Sequence, residues 1–461
     1  MLSDVIAAIS TPQGFGGVAV IRVSGNGAPS LVSKIFFPRS GKSLLDYPAR
    51  HAVFGEIRDE RSIIDTALVT YFNAPNSFTG EDVVEISCHG GYLVSAMVLE
   101  AVLSLGIRHA EAGEFTKRAF VNNKISLSEA EALSDVLNAV CREGVRLSSS
   151  QARGVLGERI KEISDKLITL ISSIYAYIDY PEEDLEDVDD KTLLEEINLL
   201  ITECQSLLST YRAGNAITHG IPTVIVGKTN AGKSSMFNKL LGEDKAIVTD
   251  IPGTTRDVLE YTADVRGVTL KLVDTAGLRE ETGDKIEQLG IEIAKGKLSS
   301  PETSLILALF DSSREFDDDD VQILELLEKC TDKTIIPVFT KSDMPTVLDR
   351  AKIEAVLGPG IDVSSKENRG IDKLQDLIFE SFVGEKFPLP ENAVITGARQ
   401  KSTLERGLSQ LQEAKRELCD GVKDMTGMIL ESALATLSEV DARQAGEKIV
   451  DEIFSKFCVG K

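Results

Sequence analysis

The feature that most limits how this chain can fold is an eight-residue stretch near its middle. Residues 227–234 read Gly-Lys-Thr-Asn-Ala-Gly-Lys-Ser and fit the pattern G-x-x-x-x-G-K-[ST]. An apolar run at residues 224–226 precedes the pattern, and a helical segment follows it as far as Leu241. In this order of strand, loop and helix, the backbone N–H groups of the loop face the phosphates of a nucleotide. The stretch therefore predicts a phosphate-binding loop in a doubly wound α/β sheet.

Two side chains of this loop carry the chemistry of phosphate and metal binding. We expect the Lys233 ammonium to reach the β- and γ-phosphates and the Ser234 hydroxyl to ligate Mg²⁺. Taken alone, the pattern is also compatible with an ATPase or with a chance match. The choice of nucleotide therefore depends on the motifs that follow.

Two downstream segments complete the expected phosphate and metal site. Asp274 begins a D-x-x-G element directly after the strand-like run at residues 268–273. Asp274 would hold the metal through its coordination sphere, and the amide of Gly277 would sense the γ-phosphate. Thr255 lies between this element and the loop, where a switch threonine should complete the shell around Mg²⁺.

Residues 340–343 read Thr-Lys-Ser-Asp and supply the choice of base. Guanine presents N1–H and an exocyclic NH₂ as adjacent donors, which the Asp343 carboxylate can accept together. Adenine would leave that carboxylate unpaired, and an unpaired buried charge is costly, so GTP should be preferred to ATP. Thr340 stands where Asn is usual, which weakens the expected support around the base. Residues 364–366 fit the last guanine-contact loop.

The nucleotide-binding residues predicted from these motifs form three groups. The phosphate-loop group is Asn230, Ala231, Gly232, Lys233, Ser234 and Ser235. The switch and metal group is Thr254, Thr255, Asp274, Thr275, Ala276 and Gly277. The base group is Thr340, Lys341, Asp343, Ser364, Ser365 and Lys366. Together they predict a protein that hydrolyses GTP.

Hydrophobic periodicity divides the chain into four predicted segments. Residues 1–120 show short apolar runs punctuated by glycine, which predict an α+β domain. Residues 121–216 open with a capping-box signature and predict a long amphipathic helix, broken once, followed by a second helix. Residues 217–386 alternate strands with helices, and residues 387–461 return to helix.

Helices thus flank the α/β segment on both sides. The predicted fold class is a multidomain α/β plus α protein, in which a Ras-like P-loop GTPase domain is inserted into one discontinuous all-α helical domain. The helical stretches before and after the insertion would bury their apolar stripes against each other. The acidic stretch at residues 182–190 is expected to be a solvated connection.

Charge and cysteine pattern disfavour several classes of protein. A net charge of −23 disfavours broad, sequence-independent nucleic-acid binding, whose affinity comes mainly from Lys and Arg. Six scattered cysteines with no C-x-x-C pair argue against a zinc site and against a disulfide framework. Because the sequence shows no apolar run long enough for a bilayer and no leader-like start, we expect a cytoplasmic protein without membrane contact.

Motifs from both ends and from the middle together resemble one family, the tRNA-modification GTPases of the MnmE (TrmE) type. The matching segments are residues 76–82, 89–91, 230–235, 249–257, 274–280 and 458–461. A generic GTPase would explain the middle segments but neither end. The resemblance covers essentially the whole chain and implies an N-terminal domain similar to folate-binding domains, which also forms the permanent contact of a homodimer.

The resemblance implies potassium-dependent hydrolysis in which two GTP-bound domains pair face to face. The implied K⁺ ligands are Asn230, Thr249, Ile251 and Thr254. The resemblance also implies that the segment Thr249, Asp250, Ile251, Pro252 and Gly253 contacts GTP. An arginine finger accelerates phosphoryl transfer by about 10³- to 10⁵-fold, and a bound cation could supply that charge instead. The chain has apolar Leu278 where many GTPases place a water-orienting Gln. Glu287 would orient the attacking water; the alternative is an exposed glutamate on a helix.

By the same resemblance, a tetrahydrofolate derivative, the 5-formyl or the methylene form, would contact Arg22, Glu85, Lys124 and Lys461. A basic pair suits the glutamyl carboxylate of folate, and the Glu85 carboxylate suits the donor edge of a pterin ring. Taken alone, each of these residues is better explained by a surface ion pair. Cys458 is either a reactive or an inert thiol, since nothing near it in sequence shows how its pKa would be lowered.

The implied overall reaction adds a carboxymethylaminomethyl or aminomethyl group to the wobble uridine of certain tRNAs. A separate FAD-dependent protein of the MnmG (GidA) type would act with this chain in a heterotetramer, which agrees with the lack of a G-x-G-x-x-G fingerprint here. Two other functions stay open: a GTPase switch in ribosome assembly, and a folate-dependent one-carbon transferase regulated by GTP. The ribosome switch would need neither the folate-like N-terminal segment nor residues 458–461.

Overall fold

The computed structural model describes residues 4–12, 14–179, 190–241, 247–248, 260–273, 298, 300, 303–384, 391–443, 447–455 and 457–460. Contacts divide the chain into two compact units. Unit 1 consists of Met1–Ser134, Ala152–Ile197 and Ser409–Lys461, and unit 2 consists of Asp135–Gln151 and Asn198–Leu408. None of the helices in the described ranges is both long and apolar enough to cross a membrane.

Strands predominate in two stretches of the chain and helices in the rest. The strands are β1 (Ile6–Ile9), β2 (Val18–Ser24), β3 (Phe36–Pro38), β4 (Val53–Arg58), β5 (Ile63–Phe72), β6 (Val83–His89), β7 (Arg108–His109), β8 (Ile221–Gly227), β9 (Ile247–Val248), β10 (Glu260–Val265), β11 (Val268–Val273), β12 (Leu305–Asp311), β13 (Thr334–Thr340) and β14 (Ile361–Asp362). The helices are α1 (Ala28–Val32), α2 (Tyr92–Leu103), α3 (Glu114–Val121), α4 (Leu127–Asn138), α5 (Arg142–Gln151), α6 (Val155–Asp179), α7 (Asp190–Ser209), α8 (Tyr211–His219), α9 (Lys233–Leu241), α10 (Asp318–Glu328), α11 (Arg350–Leu357), α12 (Ile371–Phe382), α13 (Ala398–Cys419), α14 (Lys423–Ser438) and α15 (Glu447–Phe454).

Unit 1 contains a sheet in the order β3-β4-β5-β6-β2-β1-β7, in which β1 and β7 are parallel and the other pairs antiparallel. Successive side chains of a strand point to opposite faces of a sheet. Ile21 and Ile86 are buried in the core shared with α2. Arg22 and Glu85, one residue away on the same strands, lie on the opposite face, which we call the open face. This alternation gives the sheet one face buried against α2 and a second face that carries the Arg22 and Glu85 side chains and is covered at β1 by Phe115.

The long helix predicted from residue 126 onward has two breaks and not the single break predicted. The described residues form α4, α5 and α6 in its place. The thiol of Cys141 accepts a hydrogen bond from the Gly144 N–H at 3.3 Å and so caps the start of α5. Gly154 adopts φ +90 just before α6 begins, a left-handed conformation that favours glycine and interrupts a helix. A cysteine cap is outside the usual sequence signals, which explains why the prediction was wrong.

Unit 2 contains a doubly wound sheet in the order β14-β13-β12-β8-β11-β10-β9. Strands β14 to β11 in this order are parallel, and β10 and β9 are antiparallel additions. Leu307 packs with α9 and α12 on one face, and Ile306 packs with α10 and α11 on the other. Both faces are therefore covered by helices. The predicted fold class, multidomain α/β plus α with an N-terminal α+β domain and a Ras-like domain, is confirmed.

Strand β8 lies at the point where the strand order of unit 2 reverses. Its neighbours are β12 on one side and β11 on the other. In open α/β sheets, ligands bind in the crevice outside the carboxyl ends of strands at such a switch point. The loop that follows β8 is the predicted phosphate loop.

Candidate nucleotide and folate sites

The phosphate loop runs from the end of β8 to the start of α9. A Cβ at Gly227 would lie 2.6 Å from the carbonyl oxygen of Leu309, so close packing requires a glycine there. Gly232 adopts φ +93 and Asn230 adopts φ +64. Left-handed backbone is favourable for glycine and more tolerable for asparagine than for most residues, which accounts for both identities.

The Lys233 ammonium lies over its own loop. Its Nζ donates hydrogen bonds to the carbonyl oxygens of Gly227 and Lys228, both at 2.7 Å. Both of these acceptors are neutral carbonyls, and phosphate oxygens are stronger, charge-assisted acceptors. The contacts therefore place Lys233 ready to exchange backbone acceptors for phosphate.

A second lysine of the loop fastens it to the neighbouring helix. The Lys228 Nζ contacts Asp317, the N-cap residue of α10, and lies 2.6 Å from Oδ2 of Asp320. Burial opposes the charge of this ammonium, but the two carboxylates outweigh burial and raise the pKa of Lys228. The hydrogen bond from Lys228 in turn holds the pKa of Asp317 below its usual value. The phosphate loop is thus held to α10 by ion pairs in addition to its backbone connection to β8 and α9.

Thr340 links the base motif to the phosphate loop. It is buried at the end of β13, and its hydroxyl donates to the carbonyl oxygen of Ala231 at 2.8 Å. The same hydroxyl lies 3.2 Å from the carbonyl oxygen of Phe310. The next residue, Lys341, has φ +55, and its ammonium lies 2.5 Å from Asp311 Oδ2. The threonine that departs from the usual Asn therefore supplies a direct hydrogen bond between the two loops.

The Asp343 carboxylate is held by a residue from the last base loop. The buried Ser364 hydroxyl donates to Oδ1 of Asp343 at 2.7 Å. This hydrogen bond is the largest reason why the pKa of Asp343 lies below its usual value, and the nearby charges of Lys366 and Arg369 act in the same direction. Asp343 therefore stays ionised near neutral pH and is oriented from one side, which is what the recognition of two adjacent ring donors requires.

Several predicted site residues lie outside the described part of the chain and stay predictions. They are the switch residues Thr249, Asp250, Ile251, Pro252, Gly253, Thr254 and Thr255, the D-x-x-G residues Asp274, Thr275, Ala276 and Gly277, the candidate base Glu287, and the candidate folate contact Lys461. Within the described ranges, no cluster of three His, Cys, Asp or Glu side chains could hold a metal. The Ser234 hydroxyl and the Asn230 amide oxygen are hard donors of the kind that Mg²⁺ and K⁺ bind, so these two residues fit the predicted cations.

Arg22 and Glu85 face each other on the open face of the sheet in unit 1. They are paired in the register of β2 and β6. The Arg22 guanidinium donates twice to Oε1 of Glu85, at 3.1 and 2.9 Å. The exposed ring of Phe78 and the buried ring of Phe115 lie 5.4 and 5.7 Å from the guanidinium carbon. The structure thus brings together two of the predicted folate contacts beside an exposed aromatic ring.

Lys124 borders the loop that carries this ring. Its Nζ donates to the carbonyl oxygen of Pro75 at 3.0 Å. Gly80, at φ +76, leaves room for the lysine stem, since a Cβ there would lie 3.2 Å from Cγ of Lys124. Phe78 belongs to the same loop and contacts Arg22 on its other flank. Lys124 is therefore connected with the Arg22–Glu85 pair through this loop.

Residues 458–460 pack against the end of β1. The Ser10 hydroxyl donates to the carbonyl oxygen of Gly460 at 2.9 Å, and the segment forms a β-bridge with the residues before α3. Cys458 is exposed. Strand β1 is paired with β2, the strand that carries Arg22. The C-terminal segment is therefore placed at the edge of the candidate folate site.

A buried arginine that the sequence motifs do not reveal supports the same region. Arg118 is 1% exposed, and its guanidinium contacts carboxylates of Asp4, Glu81 and Glu114 at 2.9 to 3.1 Å. Glu81 lies in the segment 76–82 that the family resemblance singled out. The spacing of Glu114 and Arg118 on α3 is an i,i+4 pair, which is the only one of these contacts that a sequence pattern indicates.

Comparisons with known proteins agree on one family. The family model described as "GTP-binding protein TrmE N-terminus" matches residues 5–124, and the model described as "MnmE helical domain" matches residues 127–458. Proteins named "tRNA modification GTPase MnmE" are similar over the full length of both chains. They include those of Carboxydothermus hydrogenoformans, 40% identical with 100% of each chain covered, and Clostridioides difficile, 39% identical with 100% of each chain covered.

A likeness to a solved structure covers a smaller part of the chain. The G domain of the T. maritima FeoB iron transporter is 27% identical over 35% of this chain and 97% of its own, with a TM-score of 0.27. At that score the likeness carries no inference. The two family models and the full-length relatives are sufficient: the chain belongs to the MnmE family of tRNA modification GTPases.

Proposed function

We propose that this chain hydrolyses GTP, and that hydrolysis serves the addition of a carboxymethylaminomethyl or aminomethyl group to the wobble uridine of certain tRNAs. The observation that carries the proposal is the ionised Asp343 carboxylate, which Ser364 orients on a loop tied to the phosphate loop. Such a carboxylate can accept hydrogen bonds from both donors of guanine and not from adenine. The name shared by the relatives, tRNA modification GTPase, supports the second half of the proposal.

At the phosphates, the chain contributes position and charge. Lys233 would exchange its two carbonyl acceptors for β- and γ-phosphate oxygens. Ser234 and Thr255 would ligate Mg²⁺, and Asp274 would hold the metal through its coordination sphere. Bound Mg²⁺ neutralises charge that develops on the phosphates. Because phosphoryl transfer needs little covalent help from the protein, holding these groups in place is most of what the site must do.

The proposal includes K⁺ as a second cation and the pairing of two GTP-bound domains. The support for K⁺ is that the chain lacks a usual catalytic side chain. Leu278 stands where many GTPases have a Gln that orients the attacking water, and an apolar side chain cannot do so. K⁺ would add positive charge beside the phosphates, held by oxygen atoms of Asn230, Thr249, Ile251 and Thr254. Glu287 would orient the attacking water.

On unit 1, the proposal assigns a tetrahydrofolate derivative to the open face. The Glu85 carboxylate would accept from the donor edge of the pterin, and the exposed ring of Phe78 would stack on it. Lys124 and Lys461 would meet the glutamyl carboxylates. The Arg22–Glu85 pair is only partly exposed, 20% and 32%, which suits a ligand that enters from the open face.

The same open face supports a homodimer through the N-terminal domain. Phe54 and Leu68 are paired across β4 and β5, and Phe37 follows on β3. All three side chains are exposed on the face opposite the core. Apolar side chains gathered on one sheet face are typical of an interface, because their exposure to water is unfavourable and a partner would bury them.

Cys458 and a partner protein complete the proposal. The Cys458 thiol is exposed at the edge of the candidate folate site, where it could take part in chemistry. A FAD-dependent MnmG (GidA)-type protein would form a heterotetramer with the dimer and supply the flavin and much of the tRNA-binding surface. A partner that supplies basic surface would account for how a chain with a net charge of −23 acts on tRNA. The tRNA substrate would place the reaction in the cytoplasm.

The test is mass spectrometry of wobble nucleosides from cells that lack the protein, from cells with it restored, and from cells with Cys458→Ser. We expect the modified uridine to disappear and to return with the wild-type chain. A modified uridine that persists without the protein would contradict the tRNA half of the proposal. With Cys458→Ser, an absent modification would indicate chemistry, and a full return would indicate an inert thiol.

A further inference from the structure

One arginine joins the two loops that surround the base carboxylate. Arg369 lies between the last base loop and Gly370, the N-cap residue of α12, and it belongs to none of the nucleotide motifs. Its Nη2 donates to the carbonyl oxygen of Ser342 and lies 3.3 Å from the Ser342 hydroxyl. Ser342 is the residue immediately before Asp343. The guanidinium therefore acts on the backbone that carries the base carboxylate.

The backbone of the same residue holds the other loop. The Arg369 N–H donates to the carbonyl oxygen of Ser364 at 3.0 Å, and the Ser364 N–H donates back at 2.9 Å. The Ser364 hydroxyl then donates to Asp343. Hydrogen bonds thus link Ser342 to Arg369, Arg369 to Ser364, and Ser364 to Asp343. The peptide bond between Ser342 and Asp343 completes the circuit.

We propose that Arg369 is a positioning residue for guanine selection, which fixes the plane of the Asp343 carboxylate. The inference rests on the GTP-binding function proposed above. Two carboxylate oxygens must meet N1–H and the exocyclic NH₂ of guanine in one plane, and a tilt of the loop costs the second hydrogen bond first. Hypoxanthine has N1–H but lacks the exocyclic NH₂. The preference for guanine over hypoxanthine therefore reports the orientation of Asp343 and not merely its presence.

The chain provides a matched control for charge. Arg369 lines a surface cleft of about 650 Å³, and Lys373 on α12 lines the same cleft. Substitution of Lys373 removes the same positive charge from the same cleft and leaves the hydrogen-bond circuit in place. An effect of Arg369 that needs only a positive charge in this cleft would be shared by Lys373. The positive charge of Arg369 near Asp343 is kept in Arg369→Lys, which therefore separates that charge from the geometry of the guanidinium.

The experiment measures the dissociation constants of GDP, inosine diphosphate and ADP for the full chain and for Arg369→Ala, Arg369→Lys and Lys373→Ala. For Arg369→Ala we expect GDP to bind about tenfold more weakly and inosine diphosphate about twofold more weakly, as for the loss of one charge-assisted hydrogen bond. The ratio of the two affinities then falls about fivefold. Lys373→Ala should keep the wild-type ratio, and Arg369→Lys should restore part of it because an ammonium can still donate to the Ser342 carbonyl.

The outcomes distinguish a failure of the proposed GTP-binding function from a failure of the proposed role of Arg369. A wild-type chain that does not prefer GDP to ADP would overturn the proposed function itself. A wild-type chain that prefers GDP, with an unchanged GDP to inosine diphosphate ratio in Arg369→Ala, would overturn only the inference about Arg369. If thermal unfolding shows that Arg369→Ala does not fold, Arg369→Lys decides: a ratio lowered about twofold supports the inference, and a wild-type ratio overturns it.

Discussion

Two carboxylates in this molecule are proposed to read hydrogen-bond donors on a heterocycle, and the chain holds them in different ways. In unit 2, Asp343 accepts a hydrogen bond from the neutral hydroxyl of Ser364. In unit 1, Glu85 faces the guanidinium of Arg22 at 2.9 Å. The first carboxylate feels the nearby charges of Lys366 and Arg369 but forms no salt bridge with a cation among the described residues, whereas the second has a direct ion pair before any ligand arrives.

The difference bears on selectivity. A carboxylate that is oriented but not directly paired with a cation must find its hydrogen-bond donors in the ligand, so a ligand without them is rejected strongly. A carboxylate that is already paired with an arginine loses less when the ligand fits imperfectly. We therefore expect strict base selection in unit 2 and broader tolerance of ring substituents at the open face of unit 1.

The largest effect expected is that of Asp343→Asn. The amide can no longer accept from both guanine donors, so GDP affinity should fall by about 100-fold or more, as expected when a hydrogen-bonded charge loses its partner. Xanthosine diphosphate, which has a carbonyl in place of the exocyclic NH₂, should gain affinity because the new amide can donate to it. Titration with fluorescent nucleotides measures both changes.

The control for this variant is Asp349→Asn. Asp349 is an exposed carboxylate at the start of α11, in the same unit, with a surface contact to Lys352 at 3.4 Å. It should leave nucleotide affinity within about twofold of the wild type. Equal losses in both variants would mean that Asp343 acts through overall charge and would remove the contrast with Glu85.

A smaller effect is expected for Glu85→Gln. Because Arg22 already balances this carboxylate, its neutralisation should weaken binding of 5-formyltetrahydrofolate by about tenfold, or ~1.4 kcal/mol. Glu56→Gln is the matched control, since Glu56 pairs with Arg58 at 2.7 Å on the same open face. Calorimetric titration should show no change for Glu56→Gln. A loss as large as that for Asp343→Asn would show that the two carboxylates work alike.

The smallest effect expected is that of Thr340→Val, which keeps the shape of the side chain and removes its hydroxyl. The buried Ala231 carbonyl loses its donor, which should lower the free energy of unfolding by about 1 kcal/mol and GDP affinity by about fivefold. Thr346→Val, at an exposed position of the same connection, should change neither. Denaturant unfolding and nucleotide titration provide the two measurements, and wild-type values for Thr340→Val would show that the link between the loops contributes nothing.

The phosphate loop and the strands of unit 2 could be predicted because their signals are local. The predicted strands at residues 268–273 and 305–310 coincide with β11 and β12 to within one residue. Apolar runs of this length between glycine-rich or polar turns are typical of buried parallel strands. The same locality places Asp343 directly after β13, where a base-recognition loop is expected.

The supports of the sites could not be predicted, because their partners are far apart in sequence. Arg369 acts on Ser342, 27 residues earlier, and Arg118 contacts Asp4, 114 residues earlier. No short pattern links such positions. Thr340 illustrates a different limit, since the motif marks it as a departure from Asn and only the fold reveals the carbonyl that its hydroxyl reaches.

The buried guanidinium of Arg118 has a consequence for how this chain can evolve. Three carboxylates, those of Asp4, Glu81 and Glu114, converge on one cation that is almost sealed from water. Loss of Arg118 alone would leave Arg108, which pairs with Asp4 and Glu114, as the remaining cation beside these acids, and loss of one acid would leave the Arg118 guanidinium less well compensated. Substitutions at these four positions should therefore be strongly epistatic, each acceptable only in a background where another has already changed. Sequence change at these positions of the N-terminal domain is then restricted by which charged residues are present together, and not by the tolerance of any single position.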